Sequence, residues 1–260
     1  MNKEFSVQLH DLAVGYASHR DLRRVASALN ATAQPGTLTC LIGHNGTGKS
    51  TLLRTIARLQ PAIAGSVLIG DTDISALKPS LLARMLSVVL TSRPDARNMT
   101  VEELVSLGRA PYTGFWGRLS GADRNIVKQS IESVGITAMT ERRVCSLSDG
   151  EMQKVMIAKS LAQQTPVILL DEPTAFLDFP GKIDLMLLLQ RLAHEERKTI
   201  LLSTHDLDTA LQCADRLWLL ADSALHDGTP HDLAANGLID KYISRENVRL
   251  DHETLNITIS

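Results

Sequence analysis

A glycine-rich segment between an apolar run and a helical pattern constrains the fold more than any other feature of the sequence. Residues 43–50 read GHNGTGKS, which matches the phosphate-binding pattern G-x-x-x-x-G-K-[ST]. The apolar run Leu38–Ile42 before it predicts a buried strand, and the pattern Ser50–Leu59 after it predicts a helix. A strand, a glycine loop and a helix in this order surround one phosphate with backbone N–H groups. We therefore expect a nucleotide site on an α/β core.

The residue types of this loop fit the phosphates of a nucleoside triphosphate. The glycines let the backbone curl so that successive N–H groups point at phosphate oxygens. Lys49 would reach the β- and γ-phosphates, and the hydroxyl of Ser50 would hold Mg²⁺. The candidate nucleotide-binding residues are Gly43, His44, Asn45, Gly46, Thr47, Gly48, Lys49, Ser50 and Thr51.

Two adjacent carboxylates end a second buried-strand pattern. The apolar run Val167–Leu170 is followed directly by Asp171 and Glu172. Successive side chains of a strand point to opposite faces, so the two carboxylates would serve different roles. Asp171 is placed to hold Mg²⁺, and Glu172 is placed to orient and polarise an attacking water. Without a cation nearby, burying this pair would be costly.

Strand and helix patterns alternate along most of the chain, which predicts a parallel sheet covered by helices. The predicted strands are Leu38–Ile42, Val67–Ile69, Ser87–Leu90, Val167–Leu170, Ile200–Ser203 and Leu217–Leu220. From about Thr100 to Arg143 the patterns are helical and no strand is predicted, which indicates a helical insertion into the core. Within it, Pro111–Ser120 concentrates aromatic residues and glycine, as expected of either a contact between helices or a contact surface for a partner.

Composition argues against a nucleic-acid-binding protein, a disulfide-rich protein and a membrane-spanning protein. The formal net charge of −2 leaves no overall basic excess for a nucleic-acid partner, and none is predicted. Cys40, Cys145 and Cys213 are too few for a disulfide framework and are expected to be reduced thiols. The sequence has neither a signal-peptide pattern nor an apolar run near the roughly 18 residues that span a bilayer. We therefore expect a soluble chain.

A third motif stands directly before the helical pattern Met152–Gln164. It reads LSDGE and comprises Leu147, Ser148, Asp149, Gly150 and Glu151. It resembles the LSGGQ signature of ATP-binding cassette (ABC) ATPases. Further positions are similar to other landmarks of that family: Tyr16 to the aromatic residue that stacks on adenine, Asp178 to the D-loop aspartate, and His205 to the switch histidine. The resemblance extends from about Val7 to Leu233.

The resemblance implies a fold and a mechanism. The fold would be a P-loop NTPase (RecA-like) parallel-sheet core with an N-terminal antiparallel β subdomain and a helical insertion that carries the signature. We expect the ATPase domain at residues 5–240, the insertion at about 95–160, and a C-terminal tail of unassigned role at 241–260. Two copies would clamp ATP and Mg²⁺ between the loop of one and Ser148 and Gly150 of the other. Glu172 would activate water, and His205 would bond the γ-phosphate.

Three positions depart from the family pattern. The signature has Asp149 where glycine is common and Glu151 where glutamine is common, and both add negative charge near a phosphate. Thr91 occupies the position of the usual Q-loop glutamine. Its hydroxyl could bind Mg²⁺ or water, so Thr91 is kept as a further Mg²⁺ candidate, and the coupling to a partner is expected to use a different geometry.

The segment Glu102–Ser120 is similar to ATPase subunits of bacterial importers for iron–siderophore complexes, haem and vitamin B12. This resemblance implies two transmembrane permease partners, an extracytoplasmic substrate-binding protein, and a peripheral location on the cytoplasmic face of the inner membrane. Iron–siderophore is the first choice of substrate, and haem and cobalamin stay open. The alternative is a soluble iron–sulfur assembly ATPase. A regulator with little hydrolysis is disfavoured because Glu172 and His205 are both present.

Overall fold

The computed structural model describes residues 5–17, 22–91, 96, 98–114, 116–244 and 248–259. The strands are β1 (Val7–Ala17), β2 (Leu22–Ala33), β3 (Thr37–Ile42), β4 (Ala64–Ile69), β5 (Thr72–Asp73), β6 (Leu86–Val89), β7 (Val167–Asp171), β8 (Thr199–Thr204), β9 (Arg216–Ala221), β10 (Ala224–Gly228), β11 (Val248–Leu250) and β12 (Ile257–Ile259). The α-helices are α1 (Lys49–Ile56), α2 (Pro79–Met85), α3 (Val101–Ser106), α4 (Gly121–Ser133), α5 (Asp149–Ala162), α6 (Phe179–His194), α7 (Leu207–Cys213), α8 (Pro230–Ala235) and α9 (Leu238–Ile243).

The central sheet has the strand order β10-β9-β3-β8-β7-β6 and is parallel except for its edge strand β10. Every residue of β7 and β8 is buried, as expected of parallel strands with both faces covered. Alternate residues face opposite layers: Cys40 and Ile42 pack with the helical layer, whereas Leu41 packs towards a second sheet. This α/β arrangement confirms the predicted fold class.

The second sheet is antiparallel, with the order β2-β1-β4-β5. Its apolar face and helix α1 share one core cluster with the central sheet, in which Leu52 and Trp218 are fully buried. The predicted strand Val67–Ile69 belongs to this sheet as part of β4. The antiparallel sheet therefore holds α1, and with it the phosphate loop, against the central sheet.

The register of the parallel strands places the predicted site residues at one edge. Ile42 of β3 pairs with Thr204 of β8, and Ser203 of β8 pairs with Asp171 of β7. The phosphate loop leaves β3 at this edge, and Glu172 and His205 follow the ends of β7 and β8. Ligands of open α/β sheets bind at the carboxyl ends of the strands, which is where these segments meet.

Helices α3, α4 and α5 pack together around a buried arginine, and the described residues 98–114 and 116–143 contain no strand. The Arg109 guanidinium bonds the Asp123 carboxylate at 2.9 Å and the Ala162 carbonyl at 2.8 Å, and its centre lies 4.1 Å from the centroid of the Tyr112 ring. Tyr112 is 36% exposed and packs on the outside of the helical layer against Arg109, whereas Trp116 is 82% exposed. Phe115, in the same aromatic segment, lies outside the described residues. The limits of the ATPase domain (5–240), of the insertion (about 95–160) and of the tail (241–260) stay a prediction.

The C-terminal residues form α9 and the antiparallel pair β11 and β12. Leu250 and Leu255 are buried against the helical layer of the core. Among the described residues, no helix combines the length and the apolar character that a membrane crossing requires.

Candidate functional site

The phosphate loop has a shape that requires glycine at two positions. Gly46 and Gly48 have φ angles of +83° and +107°, in the left-handed region that favours glycine. A Cβ atom on Gly48 would also lie 2.3 Å from Cγ1 of Val25, which is too close for any side chain. Helix α1 begins directly after Gly48 without a side-chain cap, so its first N–H groups are available to a ligand.

Lys49 places a buried cation beneath this loop. Its Nζ donates to the Gly43 carbonyl at 2.7 Å and to the His44 carbonyl at 3.4 Å, and it lies 4.0 Å from Oε1 of Glu172. Burial lowers the pKa of Lys49, and the nearby carboxylates of Glu172 and Asp171 oppose that shift. An ammonium group held between loop carbonyls and carboxylates is placed to bond a phosphate oxygen.

The oxygen atoms around Asp171 fit a magnesium ion held together with a nucleotide. The Ser50 and Ser203 hydroxyls donate to Oδ1 of Asp171 at 2.9 and 2.8 Å, and the Asp171 side chain is nearly fully buried. Thr91 donates its hydroxyl to the Asp171 carbonyl at 2.9 Å. No group of three His, Cys, Asp or Glu residues in the described part of the chain could hold a metal alone. Mg²⁺ bound by one carboxylate, a hydroxyl and substrate phosphates matches this donor set.

Glu172 lies between a cation and an imidazole. Its Oε2 is 3.4 Å from Nδ1 of His205, and its Oε1 faces Lys49. The backbone of Glu172 has a φ of +49°, a conformation that costs a non-glycine residue about 1–3 kcal/mol. Its N–H donates to the Ser203 hydroxyl at 3.0 Å, which helps to hold that conformation. The carboxylate is thereby fixed at the sheet edge, beside the loop.

Ser203 is a site residue that the sequence analysis missed. Its hydroxyl donates to Asp171 and accepts from the N–H of Glu172, so one side chain orients both carboxylate-bearing residues. Its place at the end of β8, two residues before His205, was the available signal. A serine in an apolar strand pattern is more often a minor interruption than a functional residue, and only the register with β7 shows its role.

We predict that Ser203→Ala lowers the kcat of ATP hydrolysis about tenfold, because loss of such a supporting hydrogen bond typically costs 10–100-fold in activity. The matched control is Ser160→Ala, which removes another buried hydroxyl, one bonded to Ser87 at 2.7 Å. Steady-state ATPase assays and thermal melts of both variants measure the effect. Equal turnover by the two variants would contradict a positioning role for Ser203.

The remaining nucleotide-site candidates lie on β1 and in the loop. The Tyr16 hydroxyl lies 3.0 Å from Oγ1 of Thr51, and about half of the Tyr16 residue is exposed beside the start of α1. Thr47 donates both its N–H and its hydroxyl to the His44 carbonyl, which closes a turn in the loop. The side chains of His44 and Asn45 are exposed. Tyr16 therefore presents a ring at the mouth of the phosphate loop.

The signature residues form the start of helix α5. The Ser148 hydroxyl accepts from the N–H of Glu151 at 3.3 Å, and Oε2 of Glu151 accepts from the N–H of Ser148 at 2.7 Å. This reciprocal pair is a capping box, a use of S-x-x-E that could have been predicted from the sequence. The bond from the Ser148 N–H, together with Arg142 nearby, lowers the pKa of Glu151. Glutamate at the usual glutamine position thus stabilises the helix.

The structure brings together the loop, Asp171, Glu172, His205 and Thr91, but not the signature. Among the described residues, no hydrogen bond or ion pair links Leu147, Ser148, Gly150 or Glu151 to the loop residues 43–51. Asp178 caps helix α6 by accepting from the N–H of Gly181. A single chain therefore presents two separate halves of a candidate site.

The family model described as "ABC transporter" matches residues 26–175, more than half of the chain. An uncharacterized ABC transporter ATP-binding protein of Methanocaldococcus jannaschii is 38% identical over 98% of this chain and 83% of its own length. The iron(3+)-hydroxamate import ATP-binding protein of Bacillus subtilis is 38% identical over 79% of this chain and 75% of its own.

Solved structures agree with this similarity. A dimeric bacterial ABC transporter cassette superposes with a TM-score of 0.76 at 25% identity, covering 86% of this chain and 98% of the cassette. The sequence and fold similarities extend over the phosphate loop, the paired carboxylates and the signature.

Proposed function

The chain belongs to the ABC transporter family, and from that premise we propose that it is the ATP-hydrolysing subunit of an importer for iron–siderophore complexes. The ATP-hydrolysing role rests on the sheet edge where the phosphate loop, Asp171, Glu172 and His205 meet, and the cargo rests on similarity to import proteins. A site with a buried cation, a carboxylate base and a histidine suits the cleavage of a phosphoanhydride bond by water.

The nucleotide is bound by the chain's own loop. The loop N–H groups and the start of α1 accommodate the phosphates, Lys49 bonds the β- and γ-phosphates, and Tyr16 stacks on the adenine. Ser50 and Asp171 would hold Mg²⁺, with Thr91 as a further candidate. Bound there, Mg²⁺ would neutralise charge on the phosphate oxygens.

Hydrolysis uses the residues at the ends of β7 and β8. Glu172 accepts a hydrogen bond from the attacking water and takes its proton as the water oxygen bonds to the γ-phosphorus, while the bond from that phosphorus to the bridging oxygen breaks and ADP leaves. His205 lies next to Glu172 and donates a hydrogen bond to the γ-phosphate. Lys49 and the loop N–H groups stabilise the charge that develops on the phosphate oxygens.

The second half of the site comes from another copy. The Ser148 hydroxyl, the Gly150 N–H and the start of α5 form an anion-binding surface, and within the described residues no hydrogen bond or ion pair joins Ser148 or Gly150 to the chain's own loop. In a head-to-tail pair, this surface would face the γ-phosphate in the partner's loop. The similarity to a dimeric cassette supports this arrangement. Cleavage removes the group that bridges the copies and favours their separation.

Two exposed aromatic side chains flank Asp178, and we predict that they become buried in this dimer. Phe176 is 48% exposed and Phe179 is 73% exposed. Phe179→Asp should weaken the ATP-dependent dimer at least tenfold, because a charge would replace a buried aromatic contact. The matched control is Leu187→Asp on the same helix, at a residue that is 55% exposed. Sedimentation with ATP measures both variants, and equal dimerisation would contradict this placement.

Import and its substrate are proposed from similarity. The hydroxamate-import relative supports an iron complex as cargo. Transmembrane permeases as partners, and a binding protein outside the membrane, are what the family resemblance implies for such an importer. Contact with the permeases would hold the chain at the cytoplasmic face of the inner membrane. The exposed Trp116 marks the part of the helical layer where we expect that contact.

Transport by cells that lack the gene tests the proposal. Such cells, complemented with the wild-type chain or with Glu172→Gln, would be given a ferric hydroxamate, haem or cobalamin, each isotope-labelled. We expect the wild-type chain alone to restore ferric hydroxamate uptake. Restored uptake of only haem or cobalamin would contradict the proposed substrate. If the cells that lack the gene take up all three compounds normally but lose iron–sulfur enzyme activities, the import function would be contradicted.

A further inference from the structure

A residue of the phosphate loop is stacked on the C-terminal helix α9. The His44 and Tyr242 rings have centroids 4.3 Å apart and planes inclined by 17°, which is a stacked pair. The two residues are 198 positions apart in the chain (242 − 44), so the contact connects distant segments. The contact between His44 and Tyr242 belongs to none of the motifs described above.

The backbone of His44 is part of the phosphate loop's own hydrogen bonding. Its carbonyl oxygen accepts the Thr47 N–H at 3.2 Å, the Thr47 hydroxyl at 2.9 Å and Nζ of Lys49 at 3.4 Å. A displacement of His44 would therefore displace the turn and the cation beneath it. The side chain of His44 is otherwise exposed, so the stack on Tyr242 restrains the position of this residue.

Helix α9 is anchored well enough to serve as a fixed platform. Ile239 is fully buried in the helical layer of the core, and Tyr242 packs against the same cluster. Lys241 bonds the Asp222 carboxylate at 2.7 Å, which ties α9 to the turn between β9 and β10. Burial also raises the pKa of the Tyr242 hydroxyl above its ordinary value.

We propose that Tyr242 is a positioning residue for the phosphate loop, acting through its stack on His44 to hold the loop in the shape that binds ATP. The C-terminal tail, whose role the sequence leaves open, thereby contributes to nucleotide affinity. The inference rests on the proposed function, because it assumes that this loop binds ATP. Stacked aromatic pairs of this kind have modest energies, so the expected change in affinity is about fivefold.

The test compares Tyr242→Ala, Tyr242→Phe, His44→Ala and the double variant of His44→Ala with Tyr242→Ala. Binding of a fluorescent ATP analogue gives Kd, steady-state hydrolysis gives kcat and KM, and thermal melts report stability. Tyr242→Phe keeps the stacking ring and is the matched control for Tyr242→Ala. His44→Ala changes an exposed loop side chain, so the test does not depend on α9 folding without Tyr242.

We expect Tyr242→Ala and His44→Ala each to raise the Kd and KM for ATP about fivefold, with kcat at saturating ATP changed by less than twofold. Tyr242→Phe should stay within twofold of the wild type. The double variant should be no weaker than either single variant, since both remove the same contact. The proposal is overturned if Tyr242→Ala lowers only the melting temperature, or if the two single effects multiply. Failure of the wild-type chain to bind ATP would instead contradict the proposed function.

Discussion

Replacing Glu172 by glutamine should reduce ATP hydrolysis by about a thousandfold, because a positioned general base contributes roughly 10²–10⁴-fold to such a reaction. The amide has nearly the same shape as the carboxylate but cannot take the proton of the attacking water. It can still accept a hydrogen bond, so the water and nucleotide keep their places. The Kd for ATP should therefore change little. Single-turnover hydrolysis and direct ATP binding measure the two effects separately.

The matched control is Glu195→Gln at the end of α6, where the glutamate is exposed. This variant should hydrolyse ATP at the wild-type rate. A Glu172→Gln variant with wild-type turnover would show that another group accepts the proton. A Glu172→Gln variant that no longer binds ATP would show that the side chain serves the loop rather than the water.

Replacing Lys49 by alanine should weaken ATP binding on the order of a hundredfold, since truncating one member of a buried charge pair costs about 2–5 kcal/mol. In the proposed wild-type complex, the ammonium group of Lys49 exchanges its contacts with the loop carbonyls and with Glu172 for contacts with phosphate oxygens. Without it, the carboxylates of Asp171 and Glu172 face the phosphates with less compensation. Equilibrium binding of ATP and of ADP should show the larger loss for ATP, because Lys49 is proposed to bond the γ-phosphate.

The control for this variant is Lys128→Ala on α4, which removes a cation that is 75% exposed. ATP affinity should then stay at the wild-type value. An unchanged ATP affinity of Lys49→Ala would contradict the placement of the phosphates in this loop. Equal losses for ATP and ADP would contradict the contact of Lys49 with the γ-phosphate.

The proximity of the phosphate loop and the paired carboxylates could be predicted from the sequence because these segments follow buried strands. The run before Asp171 is apolar throughout, and the run Leu38–Ile42 before Gly43 is apolar except for the buried Thr39, which is typical of parallel strands covered on both faces. Carboxyl ends of parallel strands share one edge, so motif order along the chain is enough to predict that Lys49, Asp171 and Glu172 are neighbours.

Ser203 and the stack of His44 on Tyr242 could not be predicted in the same way. Both depend on contacts between segments that are distant in the sequence, and no hydrophobic periodicity or motif indicates that these segments meet. The role of Ser203 follows from its register opposite Asp171, which is set by packing of whole strands. The C-terminal residues are polar and weakly patterned, and their place was fixed by a few apolar anchors such as Leu250 and Leu255.

The signature could be predicted from the sequence only in part. The resemblance explains why Ser148 stands before a helix, but the glutamate at position 151 departs from the family pattern. The structure gives that glutamate a local role, since it completes the capping box with Ser148 and bonds Arg142. Its negative charge is thus directed towards its own helix start, where the dipole favours it.

In the proposed mechanism, two copies of this chain enclose ATP, and each copy supplies one half of the site. A crystal structure of Glu172→Gln with ATP and Mg²⁺ tests this arrangement directly. We expect a head-to-tail dimer in which the Ser148 hydroxyl of one copy lies within about 3.0 Å of a γ-phosphate oxygen held by Lys49 of the other. A structure with ATP in the loop and Ser148 distant from the nucleotide in every pairing of copies would contradict it.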